Sequence, residues 1–114
     1  MAADEDLVSR VRAALGRHVD AEEKRMFGGI TFMVRGKMCV SVGRNRIMCR
    51  IDPDLHDSLL EREGCRTVVM KGRQYRGFVY VDGRGLKTQR ELEDWIALGL
   101  DYNRANLSAR KRRS

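Results

Sequence analysis

Arginine side chains that cluster in two regions are the groups of this chain best suited to hold a ligand. They are Arg44, Arg46 and Arg50 around one predicted hairpin, and Arg110, Lys111, Arg112 and Arg113 near the end of the chain. Guanidinium groups bind phosphates and carboxylates through paired hydrogen bonds, so both clusters are candidate contacts for a partner or for nucleic acid. A cationic run also keeps a protein soluble without binding anything, and the residues favour neither explanation of the second cluster.

The segment Arg25-Met26-Phe27-Gly28-Gly29 is a further candidate contact. Gly28 and Gly29 tolerate positive φ and let the backbone of a partner approach closely. A bend or bulge that leads into a strand, with Phe27 in the core, explains the same residues and is favoured. Arg25 is then the residue of this segment expected to face a partner or to pair with an acidic side chain.

The turn Asp82-Gly83-Arg84-Gly85 lies between a predicted strand and a predicted helix, where free backbone amides attract anions. A dinucleotide-binding loop would need a third glycine, and Thr88 stands in that place. A tight turn before a helix that Thr88 and Glu91 cap accounts for these residues. The turn therefore predicts no cofactor site.

The sulfur and imidazole side chains do not form a catalytic or metal-binding set. Met38-Cys39 and Met48-Cys49 offer soft ligands for copper(I), but neighbouring residues of a strand point to opposite faces, so core packing is favoured. Cys65 follows a glycine and is expected to be an accessible thiol. His18 and His56 have no partner at a suitable spacing and are expected at or near the surface. We predict no catalytic residue, no metal and no cofactor.

The composition is that of one small basic domain. The 114 residues include 23 Lys+Arg and 16 Asp+Glu, which leaves a net charge of +7, and 42% are hydrophobic. No apolar stretch is long enough to span a membrane, and the acidic N-terminus lacks the apolar core of an export signal. Three cysteines without a CxxC spacing argue against a disulfide framework, so we expect a cytoplasmic protein.

Hydrophobic periodicity predicts an α+β domain over residues 1–106, followed by a basic, flexible tail over residues 107–114. The predicted order is α-β-β-β-α-β-β-α, a mostly antiparallel sheet with helices packed on it. Residues 20–24 are predicted to be a polar linker. Strands that are apolar on both faces, such as the one containing Met33, favour a homodimer.

Five features follow one another along residues 7–105. They are Arg25-Met26-Phe27-Gly28-Gly29, Gly36-Lys37-Met38-Cys39, Arg50-Ile51-Asp52-Pro53, Arg76-Gly77-Phe78-Val79-Tyr80-Val81-Asp82 and a last helix that contains Trp95. In this order they resemble the N-terminal domain of the TfoX/Sxy family. The resemblance implies an α+β fold, a link to the regulation of competence genes in bacteria and no established catalytic site. It also implies a stand-alone domain, because the second, helical domain of the longer members is missing from these residues.

Three functions are compatible with these observations. The first is a non-catalytic, TfoX-like regulatory module that binds a protein partner or a second copy of itself. The second is a nucleic-acid-associated protein that uses the basic hairpin and the tail. The third is a small enzyme of unknown reaction, which no set of residues in the sequence supports. The salt dependence of nucleic-acid binding distinguishes the first two functions, because phosphate contacts weaken steeply with salt.

Overall fold

A computed structural model describes residues 4–16, 20–26 and 28–113, with side chains described up to residue 105. The elements are α1 (Glu5–Gly16), β1 (Glu22–Met26), β2 (Gly29–Val34), β3 (Lys37–Val42), β4 (Arg46–Arg50), α2 (His56–Leu59), β5 (Cys65–Met70), β6 (Arg73–Asp82) and α3 (Gln89–Arg113). The predicted α+β class is confirmed, with the order α-β-β-β-β-α-β-β-α. His18 and Phe27, for which surface and core positions were predicted, lie outside the described residues.

The strands form one antiparallel sheet in the order β1-β2-β3-β4-β6-β5. Because β6 lies between β4 and β5, the last hairpin places its second strand beside β4. Alternate side chains of the inner strands point to α1 and α3, as the period of two in a strand requires. We call the face that carries α1 and α3 the inner face and the opposite one the outer face.

One apolar core lies between the inner face and the two long helices. Val11 and Leu15 of α1 and Trp95 of α3 are almost fully buried against core residues of the strands. At Gly99, α3 comes so close to β3 that an added Cβ would lie 3.3 Å from the Sγ of Cys39. Among the described residues, no helix is both long and apolar enough to cross a membrane.

The edge strand β1 is a correction to the sequence analysis, which expected a polar linker over residues 20–24. Its five side chains are all exposed, so the segment lacks the alternation from which strands are predicted. Charged residues are typical of edge strands, where they discourage pairing with another chain. Arg12 of α1 donates two hydrogen bonds of 2.7 and 2.8 Å to Glu23, and these bonds lower the pKa of Glu23 below its ordinary value.

Capping groups and one arginine fix where the helices begin and how they meet. Asp4 accepts two backbone N–H bonds from the first turn of α1. The predicted capping box is confirmed, because Glu91 accepts the backbone N–H of Thr88 at 2.9 Å and Thr88 accepts that of Glu91 at 3.1 Å. Arg10 of α1 donates to the carbonyl oxygens of Leu86 and Thr88, which ties α1 to the start of α3.

The helix α3 is anchored to the Val34 end of β2. The amide nitrogen of Asn103 donates to the carbonyl oxygen of Val34, and its amide oxygen accepts from Arg35, both at 2.9 Å. The backbone of α3 continues as a helix to Arg113, while the side chains from residue 106 onward lie outside the described part. The division into a domain over 1–106 and a flexible tail over 107–114 stays a prediction.

Candidate functional site

Five side chains form a row across the outer face, because each is the register partner of the next. They are Thr31 (β2), Ser41 (β3), Met48 (β4), Tyr80 (β6) and Arg66 (β5). Their neighbours along the strands, such as Phe32 and Val79, belong to the core, so the row points away from α1 and α3. The buried hydroxyls of Thr31 and Ser41 lie 2.9 Å apart and satisfy each other.

A pocket with a volume of about 600 Å³ lies over this row. It is lined by Ser41, Met48, Arg66 and Tyr80 of the row, by Gly28 of the β1–β2 turn, by the β3–β4 turn from Gly43 to Arg46, and by Asp82 at the end of β6. Sites for small molecules have volumes of about 300–1,000 Å³, so the pocket is large enough for one. We call it the basic pocket.

The β3–β4 turn places two arginines at the basic pocket. The backbone N–H of Gly43 donates to the carbonyl oxygen of Arg46 at 2.9 Å and closes the turn. Asn45 occupies the left-handed region with φ of 56°, which asparagine tolerates better than most residues. Arg44 and Arg46 therefore flank a residue suited to the turn, and both line the pocket.

Positive charge dominates the basic pocket. Arg44 and Arg66 are exposed, and Arg44 makes no hydrogen bond or ion pair with the described residues. The one carboxylate, Asp82, is held by the side chain of Arg84 at 3.1 Å and by its backbone N–H at 2.9 Å. These bonds from Arg84, with a smaller attraction from Arg66, lower the pKa of Asp82. Asp82 therefore stays ionised but leaves the arginines of the pocket largely uncompensated.

Arg46 and Tyr80 form a planar wall of the basic pocket. The guanidinium carbon of Arg46 lies 3.7 Å from the centroid of the Tyr80 ring, a distance of direct cation–π contact. Tyr80 is half-buried, and Met48, its register partner, is buried beneath the pocket. The wall therefore combines a fixed cation with an aromatic surface.

The structure brings three of the candidate contact residues to this pocket, namely Gly28, Arg44 and Arg46. Arg25 lies exposed on β1 and does not line it. Arg50 instead lies 5.6 Å from the ring centroids of both Phe78 and Tyr102. The side chains of Arg110, Lys111, Arg112 and Arg113 lie outside the described part.

Gly29 has a structural explanation of its own. It is buried, and an added Cβ would lie 1.9 Å from the carbonyl oxygen of Val42 on β3. Gly28, with φ of 74°, takes the left-handed conformation in the turn just before it. Gly28 therefore allows the hairpin turn, and Gly29, the first residue of β2, makes room for the chain itself.

The sequence does not link three of the pocket residues to the β3–β4 turn, and it places one of them, Asp82, in a separate turn before α3. Arg66, Tyr80 and Asp82 come from the last hairpin, and they reach the β3–β4 turn only because β6 pairs with β4. Period two does place Arg66 and Tyr80 on polar positions of their strands. That signal alone does not tell which strands are neighbours.

The thiol groups of the three cysteines and the imidazole of His56 are buried. Cys39 and Cys49 are buried, as predicted, whereas the prediction of an accessible thiol at Cys65 is wrong because that residue is buried too. Burial raises the pKa of Cys65 to about 11 and that of Cys39 to about 12. His56, expected near the surface, is also buried. Its Nδ1 accepts from the backbone N–H of Gly77 at 3.0 Å, and its Nε2 lies 2.9 Å from the hydroxyl of Thr67.

These bonds leave His56 no free ring nitrogen to act as a base, and the buried thiols have little thiolate at neutral pH. Over residues 4–16, 20–26 and 28–105, no three His, Cys, Asp or Glu side chains form a group that could hold a metal ion. Among the described residues, the basic pocket is therefore the candidate site, and its groups are suited to binding an anion.

Comparison with known proteins gives one match. The family model of the TfoX N-terminal domain matches residues 13–102, which contain the six strands of the sheet and every residue that lines the basic pocket. Neither the curated proteins nor the solved structures contain a significant match to the chain.

Proposed function

Since the chain belongs to the TfoX N-terminal domain family, we propose that it is a non-catalytic binding module with a regulatory role related to competence or transcription. The observation that carries this proposal is the basic pocket, which Arg44, Arg46 and Arg66 line and whose carboxylate, Asp82, is paired with Arg84. Such a site attracts an anionic group and holds it through charge-assisted hydrogen bonds. Regulation then depends on the binding event and needs no reaction.

The burial of the thiols and the hydrogen bonds of His56 support the non-catalytic part of the proposal. Acyl transfer and related reactions need a nucleophile beside a free base. Cys65 is buried with a raised pKa, and both ring nitrogens of His56 have partners. Free cysteines also support a cytoplasmic location, because structural disulfides are rare there.

A protein, or a second copy of the chain, is the partner proposed for regulation. The half-buried Met33 keeps apolar surface on the outer side of β2, which fits the homodimer hypothesis. Light scattering over a range of concentrations tests self-association. A dimer whose fraction rises with concentration supports it, and a monomer at the highest concentration contradicts it.

Calorimetric titration with inorganic phosphate tests the basic pocket as the binding site. Arg66→Gln removes one guanidinium of the pocket and is expected to weaken phosphate binding by about tenfold or more. Arg73→Gln removes the same charge at the other end of the sheet, beside the β5–β6 turn, and serves as the matched control. Equal affinity of both variants and the wild type, or no phosphate binding at all, would contradict the proposal.

Nucleic-acid association is the second candidate, because the Arg46–Tyr80 pair adds an aromatic surface to a cationic one. Asn103 anchors α3 at the Val34 end of β2, and the basic pocket lies at the Gly28 end. A titration with single-stranded RNA and DNA in low and high salt tests this candidate, with a variant that lacks residues 110–114 beside it. No binding in low salt, or no effect of the deletion, speaks against it.

A further inference from the structure

The number of guanidinium groups in the basic pocket points to a phosphate. Arg44, Arg46 and Arg66 line one pocket, and its carboxylate, Asp82, is already bound by Arg84. A carboxylate ligand brings one negative charge and two acceptor oxygens, which one arginine satisfies. A phosphate monoester brings nearly two charges and three terminal oxygens, which matches several guanidinium groups at once.

The wall of the basic pocket points to a planar ring beside that phosphate. The guanidinium of Arg46 covers one face of the Tyr80 ring at 3.7 Å. A guanidinium held in this way offers a flat surface on which a heteroaromatic base stacks, and the neighbouring Met48 is apolar. A sugar phosphate without a base, or a phosphorylated serine or threonine side chain, would leave this wall without a contact.

The size of the basic pocket agrees with a ligand that has both a phosphate and a planar ring. The pocket volume of about 600 Å³ lies within the range of small-molecule sites, and it extends from the arginines of the β3–β4 turn across β4 and β6 to Arg66 on β5. We infer that the basic pocket binds a nucleoside phosphate, with the phosphate among the three arginines and the base against the Arg46–Tyr80 wall. The inference rests on the proposed function and names the ligand class of the same pocket.

Calorimetry on the full chain with a panel of ligands tests this inference. The panel is inorganic phosphate, ribose 5-phosphate, adenosine, adenosine 5′-monophosphate and uridine 5′-monophosphate. The tighter-binding nucleotide is expected to bind at least about tenfold better than ribose 5-phosphate and than adenosine. If phosphate and ribose 5-phosphate bind as well as the nucleotides, the inference fails and the proposed function stands. If no phosphate compound binds, the proposed function fails as well.

Variants of the wall separate the base contact from the phosphate contact. Tyr80→Leu is expected to remove the advantage of the nucleotide over ribose 5-phosphate, while Tyr80→Phe keeps the ring and the advantage. Arg66→Gln should weaken nucleotide and ribose 5-phosphate alike, by about 10- to 100-fold. Arg73→Gln should change neither affinity, and circular dichroism checks that every variant is folded. An unchanged nucleotide advantage in folded Tyr80→Leu would overturn the inference.

The nucleoside phosphate has two sources, a free nucleotide or the end of a nucleic-acid strand. A short oligonucleotide is compared with and without its 5′-phosphate. If the phosphorylated strand binds more tightly than the mononucleotide and loses this affinity with its phosphate, the ligand is a strand end. If the mononucleotide binds at least as well, the ligand is free. Tight binding of both strands, regardless of the phosphate, would place the contact along the strand and overturn the inference.

Discussion

The burial of Cys65 differs from the exposure that its local sequence predicts. A glycine before Cys65 indicates a loop, yet β5 begins at this cysteine and Val81 of β6 lies opposite it. Cys65 thereby joins the apolar core beneath the helices, a tertiary position that no local pattern reveals. By contrast, Cys39 and Cys49 lie within alternating apolar strands, and their burial was predictable from that alternation.

Native thiols should therefore react slowly. A pKa of about 11 at Cys65, against an ordinary value of 9.0, leaves about a hundredfold less thiolate at neutral to mildly alkaline pH. A colorimetric thiol reagent at about pH 8 should label the folded protein at least about a hundred times more slowly than the protein in urea. The denatured chain should then yield three thiols. Rapid labelling of one thiol in the native protein would contradict the buried position of Cys65.

The same shift predicts a loss of stability at alkaline pH. The folded state raises the pKa of Cys65, so its contribution to stability is complete below the ordinary value near 9 and declines as the pH rises toward about 11. Urea unfolding at about pH 8 and pH 10.5 should show a smaller decline for Cys65→Ala than for the wild type. Other groups titrate equally in both proteins. An identical decline would show that Cys65 is not the group responsible.

The two glycines of the β1–β2 turn should respond differently to alanine. A Cβ at Gly29 meets the backbone of Val42, which has no room to move, so Gly29→Ala should cost more than about 3 kcal/mol or prevent folding. Gly28→Ala meets no atom within 4 Å but keeps a positive φ, at a cost of about 1–2 kcal/mol. Urea unfolding measures both. A Gly29→Ala protein as stable as Gly28→Ala would refute the close approach of β2 and β3.

Among the helices and strands, those with a regular hydrophobic period could be predicted from the sequence. Every predicted helix and strand exists, because each has an apolar side with the correct period. The strand β1 has no such side, since all five of its residues are exposed at the sheet edge. The position of β6 between β4 and β5 is equally hidden, and with it the encounter of Arg66 and Tyr80 with the β3–β4 turn. The basic pocket was therefore predictable only in its first half, from Gly28 to Arg46.

The attachment of α3 to the sheet should depend on one buried amide. Asn103→Ala removes the donor to the Val34 carbonyl and the acceptor of Arg35, which should cost about 1–3 kcal/mol of unfolding free energy. Asp101→Ala is the control, because Asp101 is exposed on the same helix and bonds only Arg104 among the described side chains. Its effect should stay below about 0.5 kcal/mol. Equal effects of the two substitutions in urea unfolding would contradict the anchoring role of Asn103.

At the scale of the whole molecule, charge is distributed unevenly along the fold. The net charge of +7 includes four basic residues within 110–113, which continue α3 beyond its anchor at Asn103. The other concentration is the basic pocket, at the Gly28 end of β2. A domain with this arrangement can hold a small anion in the pocket independently of the end of α3. Because the positive charge lies in two separate regions, the total charge alone does not identify the ligand.

A nuclear magnetic resonance titration of the full chain with inorganic phosphate shows whether the basic pocket is the binding site. We expect saturable shifts of the backbone amides of Gly28, Ser41 and Arg66, which surround the pocket. The amides of Gly36 and Gly72, in the turns at the other end of the sheet, should stay in place. Shifts of equal size at both ends of the sheet, or no saturable shift at the pocket, would show that the basic pocket is not the phosphate site.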